Sequence, residues 1–292
     1  MAYVKGSLHV VPLAVDLRKR SELGAEVILP SSMKHLDLER LNAEEQAILR
    51  AGLFDHGVLV VRNQQGFDPN VMPQIGRFFD ETALGIHSSG DKMVTEVKNI
   101  LSQNRGARLH RAPQVSVIGN GKWTGYEGLP DLDLKHVEEL DDGFTRPYRW
   151  HMDAPLYERL PGYVTSLHSI QNPDLPDQEL QFPNGEVLTV AAGATAFYSG
   201  ARAFDLLTDE EKEFALNTTV QYAPRAYEWM LDCKATDDGL TIARPGREKV
   251  LEDLPKWSWD NVHAFPVRLL VSLAFGSKSD RKWKGFSNRL KL

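Results

Sequence analysis

The amino-acid sequence predicts a mainly β protein with flanking helices, that is, an α+β fold in one sheet-based domain. Short apolar runs bounded by polar, glycine or proline residues recur along the chain, which is typical of strands. The clearest run is 57–62 (GVLVVR), whose β-branched residues predict a buried strand. Asn42 and Thr208 are each followed three residues later by a glutamate, and this spacing predicts a capped helix start. The chain contains no internal repeat, so one domain accounts for these elements.

The remaining elements follow from the same signals along the chain. Strands are expected at 10–15, 25–29, 115–118, 162–171, 187–198 and 218–223, with a tight turn inside 187–198. Helices are expected from Asn42 to Gly52 or Gly57, over 69–80 with Phe78 and Phe79 facing inward, and from Thr208 to about residue 216. The acidic stretch 125–147 is predicted to form a loop or lid, and the stretch 172–185 a surface excursion.

Composition narrows the class of protein. A chain of 292 residues can bury a large core. Its single cysteine, Cys233, excludes an internal disulfide and favours a reducing compartment, so a cytoplasmic location is expected. The net charge of −6 gives no reason to expect a nucleic-acid partner. No run of eighteen apolar residues and no signal-peptide pattern is present, so no membrane association is expected. The oligomeric state stays open, with a homo-oligomer as one option.

The segment Trp150-His151-Met152-Asp153 is the main candidate for chemistry. Pro147 and Pro155 flank it and favour an extended backbone, on which residues two apart point to the same side. His151 and Asp153 would then present a neutral nitrogen and an anionic oxygen to one divalent metal. Such a pair is two-thirds of the 2-His-1-carboxylate triad that holds non-haem Fe(II). The bare tripeptide is common, and a surface loop with two polar residues is the alternative interpretation.

The order of motifs resembles one family. The run GVLVVRN follows a capped helix, a W-H-x-D segment comes about ninety residues later, and then come Gly-x-Thr-x-Phe and Leu-Thr-x-Glu-Glu-Lys. From about residue 29 to 265 this order resembles the TauD/TfdA family of Fe(II)/2-oxoglutarate-dependent dioxygenases. The runs YAPRAYEWMLDCKAT and WSWDNVHAFP are similar to the fungal branch that includes xanthine dioxygenase. The resemblance implies a double-stranded β-helix, or jelly-roll, core.

The resemblance also implies roles for particular residues. His151 and Asp153 match the first two iron ligands, and Thr195 matches the threonine that contacts 2-oxoglutarate, although the family's preceding aspartate is an alanine here. Gln103 and Lys122 stand where the branch places substrate contacts. Thr195 as a plain strand hydroxyl and Lys122 as a solvated turn residue are the alternatives.

The expected reaction consumes dioxygen and the cosubstrate 2-oxoglutarate, releases succinate and CO2, and hydroxylates a small polar molecule. Xanthine, converted to uric acid, is the substrate that the branch suggests, and a sulfonate or sulfate ester is the alternative. The metal would supply the oxidising chemistry, while the protein supplies position and a dry pocket.

The sequence departs from the family pattern near its end. The family has a distal His ligand followed about ten to fifteen residues later by an Arg that binds 2-oxoglutarate in bidentate fashion. His263 lies 110 residues after Asp153, which is short for this family, and its following arginines, Arg268 and Arg281, are five and eighteen residues away. His168 is expected to pack in the sheet. Neither histidine therefore fits the third position.

Residues 264–292 carry seven basic residues against one acid, so composition also changes there. The sequence therefore predicts a partial dioxygenase domain at 1–266, truncated at its C-terminal end, and a divergent basic tail at 267–292. The leading functional hypothesis is an active dioxygenase, and the alternative is an inactive family member that lacks the distal His and Arg. A zinc hydrolase is a third hypothesis, which the lack of a further His or Cys cluster disfavours.

Overall fold

The computed structural model describes residues 6–14, 23–83, 107–117, 121–128, 132–134, 164–172, 174–221, 234–235, 242–244 and 264–266. The chain divides into two compact units. The first contains 1–67, 196–220 and 264–292, and the second contains 68–195 and 221–263. In the described part of the chain, no helix has the length and apolar character that a membrane span requires.

The described residues form four α-helices, two 3-10 turns and thirteen short strands. The helices are α1 (Ala43–His56), α2 (Val71–Phe79), α3 (Gly200–Asp205) and α4 (Asp209–Asn217), and the 3-10 turns are Leu38–Arg40 and Tyr126–Gly128. The strands are β1 (His9–Pro12), β2 (Ala25–Ile28), β3 (Leu59–Val61), β4 (Ala107–Leu109), β5 (Ala112–Val117), β6 (Gly121–Trp123), β7 (Leu132–Leu134), β8 (Gln178–Gln181), β9 (Val187–Val190), β10 (Thr219–Gln221), β11 (Lys234–Ala235), β12 (Ile242–Arg244) and β13 (Ala264–Pro266). The mixture of helices and sheets agrees with the predicted α+β class.

A three-stranded sheet in the order β1-β2-β3 organises the start of the first unit. β1 runs antiparallel to β2, with Val10 opposite Val27, and β2 runs parallel to β3, with Ala25 opposite Leu59. The strands predicted at 10–15 and 25–29 are thereby confirmed. Among the described strands β3 lies at the edge of this sheet, and its three residues are half-buried, so the expectation of a fully buried strand is wrong. An edge strand has one neighbour fewer to cover it.

Helix α1 begins and ends where the sequence predicts. The Asn42 side chain accepts hydrogen bonds from the backbone N–H groups of Glu44 and Glu45, and the Glu45 side chain accepts one from the Asn42 N–H. This reciprocal arrangement is the capping box expected from the sequence. At the other end Gly57 has φ +68° and donates to the Leu53 carbonyl, which a residue with a Cβ would do only with strain.

The first unit also contains α3, α4 and the β10–β13 pair. Thr208 and Glu211 form the second predicted capping box, at the start of α4. β10 confirms the strand expected at 218–223, and it pairs with β13. Helix α3 was not predicted, because its six residues are too few for a helical repeat of apolar positions to show.

The second unit is described as one helix and four antiparallel hairpins. The hairpins are β4–β5, β6–β7, β8–β9 and β11–β12. β5 confirms the strand expected at 115–118, and α2 confirms the helix expected over 69–80. Phe78 and Phe79 are half-buried and meet edge to face, with ring centroids 5.0 Å apart.

One prediction in the second unit is wrong. The described residues 164–171 belong to no strand or helix, although their exposure alternates along 164–169 as it would in a strand. An alternating pattern of exposure shows only which side chains are buried. A strand also needs a hydrogen-bonded partner strand, which the sequence of one segment does not specify. The stretch 172–185 was expected to be a surface excursion, and its described residues are largely exposed, which confirms that prediction. Strand β8 lies within this stretch and was not predicted. The domain division at residue 266 stays a prediction, since 267–292 lies outside the described residues.

Candidate functional site

Lys122, a predicted substrate-binding residue, lies in a β-strand. It is the central residue of β6, which pairs antiparallel with β7 in the register Lys122 opposite Asp133 and Trp123 opposite Leu132. A strand position differs from the turn position that the alternative interpretation assumed. Its role as a substrate contact stays a prediction.

Thr195, the predicted 2-oxoglutarate contact, follows strand β9 by five residues. The turn between them is closed by a hydrogen bond of 3.1 Å from the Ala194 N–H to the Ala191 carbonyl, so the predicted tight turn is confirmed. Thr195 is exposed and lies outside any strand, which removes the interpretation as a plain strand hydroxyl. Lys122 and Thr195 thus belong to different hairpin segments of the second unit.

The other predicted site residues lie outside the described residues. They are the metal ligands His151 and Asp153, the substrate residue Gln103, and His263. Among the residues that the structure does describe, no three His, Cys, Asp or Glu side chains come together as a metal site would require. The assignment of His151 and Asp153 therefore rests on their donor chemistry and spacing. His168, expected to pack in the sheet, is half-buried, but the segment that carries it is not a strand.

An ion-paired cluster next to β6 is the main polar feature described in the second unit. Strands β4 and β5 are joined by a two-residue turn, His110-Arg111, since Leu109 stands opposite Ala112. Arg111 Nη2 donates to Glu127 Oε1 at 2.7 Å, and its Nε donates to Glu127 Oε2, which makes a bidentate pair. Arg111 Nη1 donates to Asp68 Oδ1 at 2.7 Å.

The charges in this cluster stabilise one another. Hydrogen bonds from the Arg111 guanidinium lower the pKa of the Glu127 carboxyl. The pKa of the Asp68 carboxyl is also lowered, first by the hydrogen bond it accepts from the backbone N–H of Asn70, and further by side-chain contacts of Asn70 and Arg111. The Glu127 carboxylate in turn raises the pKa of Arg111. All three groups are thus charged at neutral pH, and Arg111 lies between two carboxylates.

The turn that Arg111 binds, residues 125–128, follows β6 after a single intervening residue. Glu127 has φ +51° and ψ +32°, in the left-handed region, and its neighbours Gly125 and Gly128 have φ +61° and +75°. Tyr126 packs on the buried cluster of Leu109, Ala112 and Val117. Burial there raises the pKa of the Tyr126 hydroxyl. The turn is therefore fixed by an aromatic ring on one residue and a carboxylate on the next.

The sequence did not indicate Arg111, Glu127 or Asp68 as a cluster. Arg111 and Glu127 are sixteen residues apart, and Arg111 and Asp68 are forty-three apart. No local pattern joins such positions. A usable signal was the pair of glycines around Glu127, which indicates a turn of unusual backbone conformation.

Comparison with known proteins identifies the family. The sequence model of the taurine catabolism dioxygenase TauD, TfdA family matches residues 16–256, which is most of the chain. The chain belongs to this family. The resemblance seen in the W-H-x-D and Gly-x-Thr-x-Phe motifs is thereby confirmed. No solved structure gives a significant match.

Three similar proteins are fungal alpha-ketoglutarate-dependent xanthine dioxygenases; alpha-ketoglutarate is another name for 2-oxoglutarate. That of Neurospora crassa is 34% identical over 276 residues, 88% of this chain and 64% of its own length. That of Emericella nidulans is 34% identical over 257 residues, 84% of this chain and 69% of its own length. That of Schizosaccharomyces pombe is 33% identical over 261 residues, 84% of this chain and 62% of its own length. The chain thus spans about two thirds of each relative's length.

Proposed function

We propose that this protein is a non-haem Fe(II)- and 2-oxoglutarate-dependent dioxygenase that hydroxylates xanthine. The observation that carries the proposal is the 33–34% identity to three relatives named as xanthine dioxygenases, over 84–88% of this chain. A jelly-roll core follows from membership of the TauD, TfdA family. The single cysteine supports a reducing, cytoplasmic location.

The residues of this chain have separable roles in that function. His151 and Asp153 would hold the iron through an imidazole nitrogen and a carboxylate oxygen, a donor set that suits Fe(II). The bound iron supplies the oxidation of 2-oxoglutarate by dioxygen that the hydroxylation needs. The Thr195 hydroxyl would donate a hydrogen bond to a 2-oxoglutarate oxygen, since a hydroxyl both donates and accepts.

Substrate binding would fall to Gln103 and Lys122. An ammonium group has three N–H donors and no acceptor, so Lys122 suits the carbonyl oxygens of xanthine or a negative charge on the deprotonated purine. The Gln103 amide can donate and accept at once, which suits a ring with alternating N–H and C=O groups. These two residues would therefore set the orientation of the substrate in the site.

The experiment has two stages on the purified chain. In the first, Fe(II) and 2-oxoglutarate are added without oxygen, and the visible charge-transfer band of the iron complex is followed. We expect a saturable band with wild type and with the control variant His110→Ala, because His110 is an exposed histidine outside the proposed site. We expect no band with His151→Ala, because one of the iron ligands is gone.

In the second stage, oxygen and xanthine are added and succinate is measured. Xanthine-dependent succinate and uric acid support the proposal. A band without xanthine turnover would overturn xanthine as the substrate while leaving the dioxygenase class. Folded wild-type protein without a band would overturn the activity itself and favour the alternative of an inactive family member.

A further inference from the structure

Arg111 joins three segments of the second unit that are distant in sequence. It lies in the turn of the β4–β5 hairpin, binds Glu127 in the turn after β6, and binds Asp68, which lies three residues before α2. The exposed fractions of the side chains are 45% for Arg111 and 24% for Glu127, against 54% for Asp68. The contact to Glu127 is therefore the more sheltered of the two, and it is bidentate.

Strand β6 is connected along the chain to the turn that Arg111 binds. In the described residues β6 pairs with β7 alone, in a hairpin of three residues on each side. A two-stranded hairpin by itself is only marginally stable in water, so attachments at its ends help to hold it in place. The end of β6 leads through Thr124 into the turn 125–128, which is attached by Tyr126 and Glu127.

The backbone of this turn makes the attachment by Glu127 necessary. Glycine adopts the left-handed region without strain, and Gly125 and Gly128 do so here. Glu127 has a Cβ and is strained in the same region, so it needs an interaction that favours this conformation. The bidentate bond from Arg111 supplies that interaction, because the planar guanidinium matches both carboxylate oxygens in one orientation.

We infer that Arg111 is a positioning residue for the substrate site: through Glu127 it fixes the turn 125–128, and thereby the strand β6 that carries Lys122. The inference rests on the proposed function, in which Lys122 contacts the substrate. Arg111 itself contacts no substrate in this scheme. Its loss should weaken substrate binding and leave the binding of iron and 2-oxoglutarate unchanged, because His151, Asp153 and Thr195 lie in other segments.

Two variants and a matched control test the inference. Arg111→Met removes the guanidinium and keeps the length of the side chain. Glu127→Gly removes the carboxylate and the strain together, so the fold should be retained while the attachment is lost. Asp68→Asn is the control, because it weakens the exposed contact to Arg111, keeps an oxygen to cap Asn70, and does not touch the turn 125–128.

Two measurements are made on the holoenzyme. The KM for xanthine should rise roughly tenfold or more in Arg111→Met and Glu127→Gly, as expected when a binding group is displaced. The charge-transfer titration with 2-oxoglutarate should be unchanged in both variants. Hydrogen exchange of the amides in 121–128 should be faster in both, and Asp68→Asn should match wild type in all three measurements.

The outcomes separate the inference from the proposed function. If wild type turns over xanthine and both variants keep its KM, the inference is overturned and the function stands. If exchange in 121–128 is unchanged in Arg111→Met, the inference is overturned whether or not xanthine is a substrate. If wild type fails to use xanthine, the proposed function falls, and the assignment of Arg111 to a substrate site falls with it, even where exchange in the turn is faster.

Discussion

Replacing Glu45, the buried charged residue among those described, should destabilise the first unit strongly. Glu45 is 7% exposed, and its carboxylate accepts two backbone hydrogen bonds, from Leu8 to Oε1 at 3.0 Å and from Asn42 to Oε2 at 3.1 Å. The Asn42 bond is half of the capping box of α1. The Leu8 bond ties the residue before β1 to the helix, and Leu8 is 0% exposed. One side chain thus satisfies donors in two separate segments.

The cost of Glu45→Ala can be worked from these two bonds. A buried N–H left without an acceptor costs about 1–3 kcal/mol, which applies to Leu8. Loss of one half of a capping arrangement costs about 1 kcal/mol more. We therefore expect the free energy of opening α1 to fall by about 3 kcal/mol. Each factor of ten in an equilibrium corresponds to about 1.4 kcal/mol, so amide exchange in 43–56 should speed up by about 100-fold.

Glu44→Ala is the matched control for this experiment. Glu44 is the preceding residue in the same first turn, carries the same charge and is exposed. Its loss removes only a favourable interaction with the helix dipole, worth less than about 1 kcal/mol. Hydrogen exchange followed by mass spectrometry over 43–56 measures both variants. Equal acceleration in the two would refute the reasoning, because it would mean that the buried bond to Leu8 adds nothing.

The other predictions concern two glycines and one carboxylate. Alanine favours a helix over glycine by about 1 kcal/mol, but Gly52→Ala should destabilise α1, because the new Cβ would lie 2.8 Å from a methyl of the stiff Val10 side chain. Gly76→Ala should stabilise α2, because outside the adjacent residues and the backbone of α2 itself nothing lies within 4 Å of the new Cβ. Thermal unfolding tests both, and a stabilised Gly52→Ala would contradict the packing. The pKa of Glu127 is lower in the folded protein than its ordinary value of about 4.3. The ionised carboxylate therefore stabilises the folded turn fully above that ordinary value, and this stabilisation is lost as the pH falls through the lower pKa of the folded state. Amide hydrogen exchange in 125–128, corrected for its intrinsic rate, should become faster at acid pH in wild type. If a Glu127→Gln variant shows the same dependence on pH, the ionisation of Glu127 is not what stabilises the turn.

Local signals in the sequence account for the parts of the fold that were predicted. The two capping boxes depend on residues three positions apart, and both helices begin where those residues stand. Strands β1 and β2 are short apolar runs bounded by turn residues, and both were found. The strand predicted over 162–171 failed because it depends on contacts that are distant in sequence. Residues 164–171 have the alternating pattern of a strand without its hydrogen-bonded partner, and the partner is a property of the fold and not of the segment.

Local sequence patterns likewise identified some residues of the candidate site and not others. The pair His151 and Asp153 is visible in the sequence because two donors on one side of an extended segment are two residues apart. Lys122 was proposed from its position in the family. Its strand, β6, is defined by pairing with β7, which the sequence of β6 alone does not specify. Family membership supplied what spacing alone left open, since a His-x-Asp tripeptide by itself does not select iron.

Arg111 shows why an attachment between hairpins escapes sequence reasoning. Its contact to Glu127 needs the two-residue turn that places Arg111 at the tip of β4–β5, and the left-handed conformation that points the Glu127 carboxylate toward it. Sequence patterns assign left-handed positions to glycine, so a glutamate between two such glycines reads as an ordinary exposed acid. A half-buried acid in a strained conformation has to be held there, and the guanidinium beside it is the group that does so. The placement of Lys122 should therefore depend on the contact of Arg111 to the strained Glu127 and not on its contact to the more exposed Asp68.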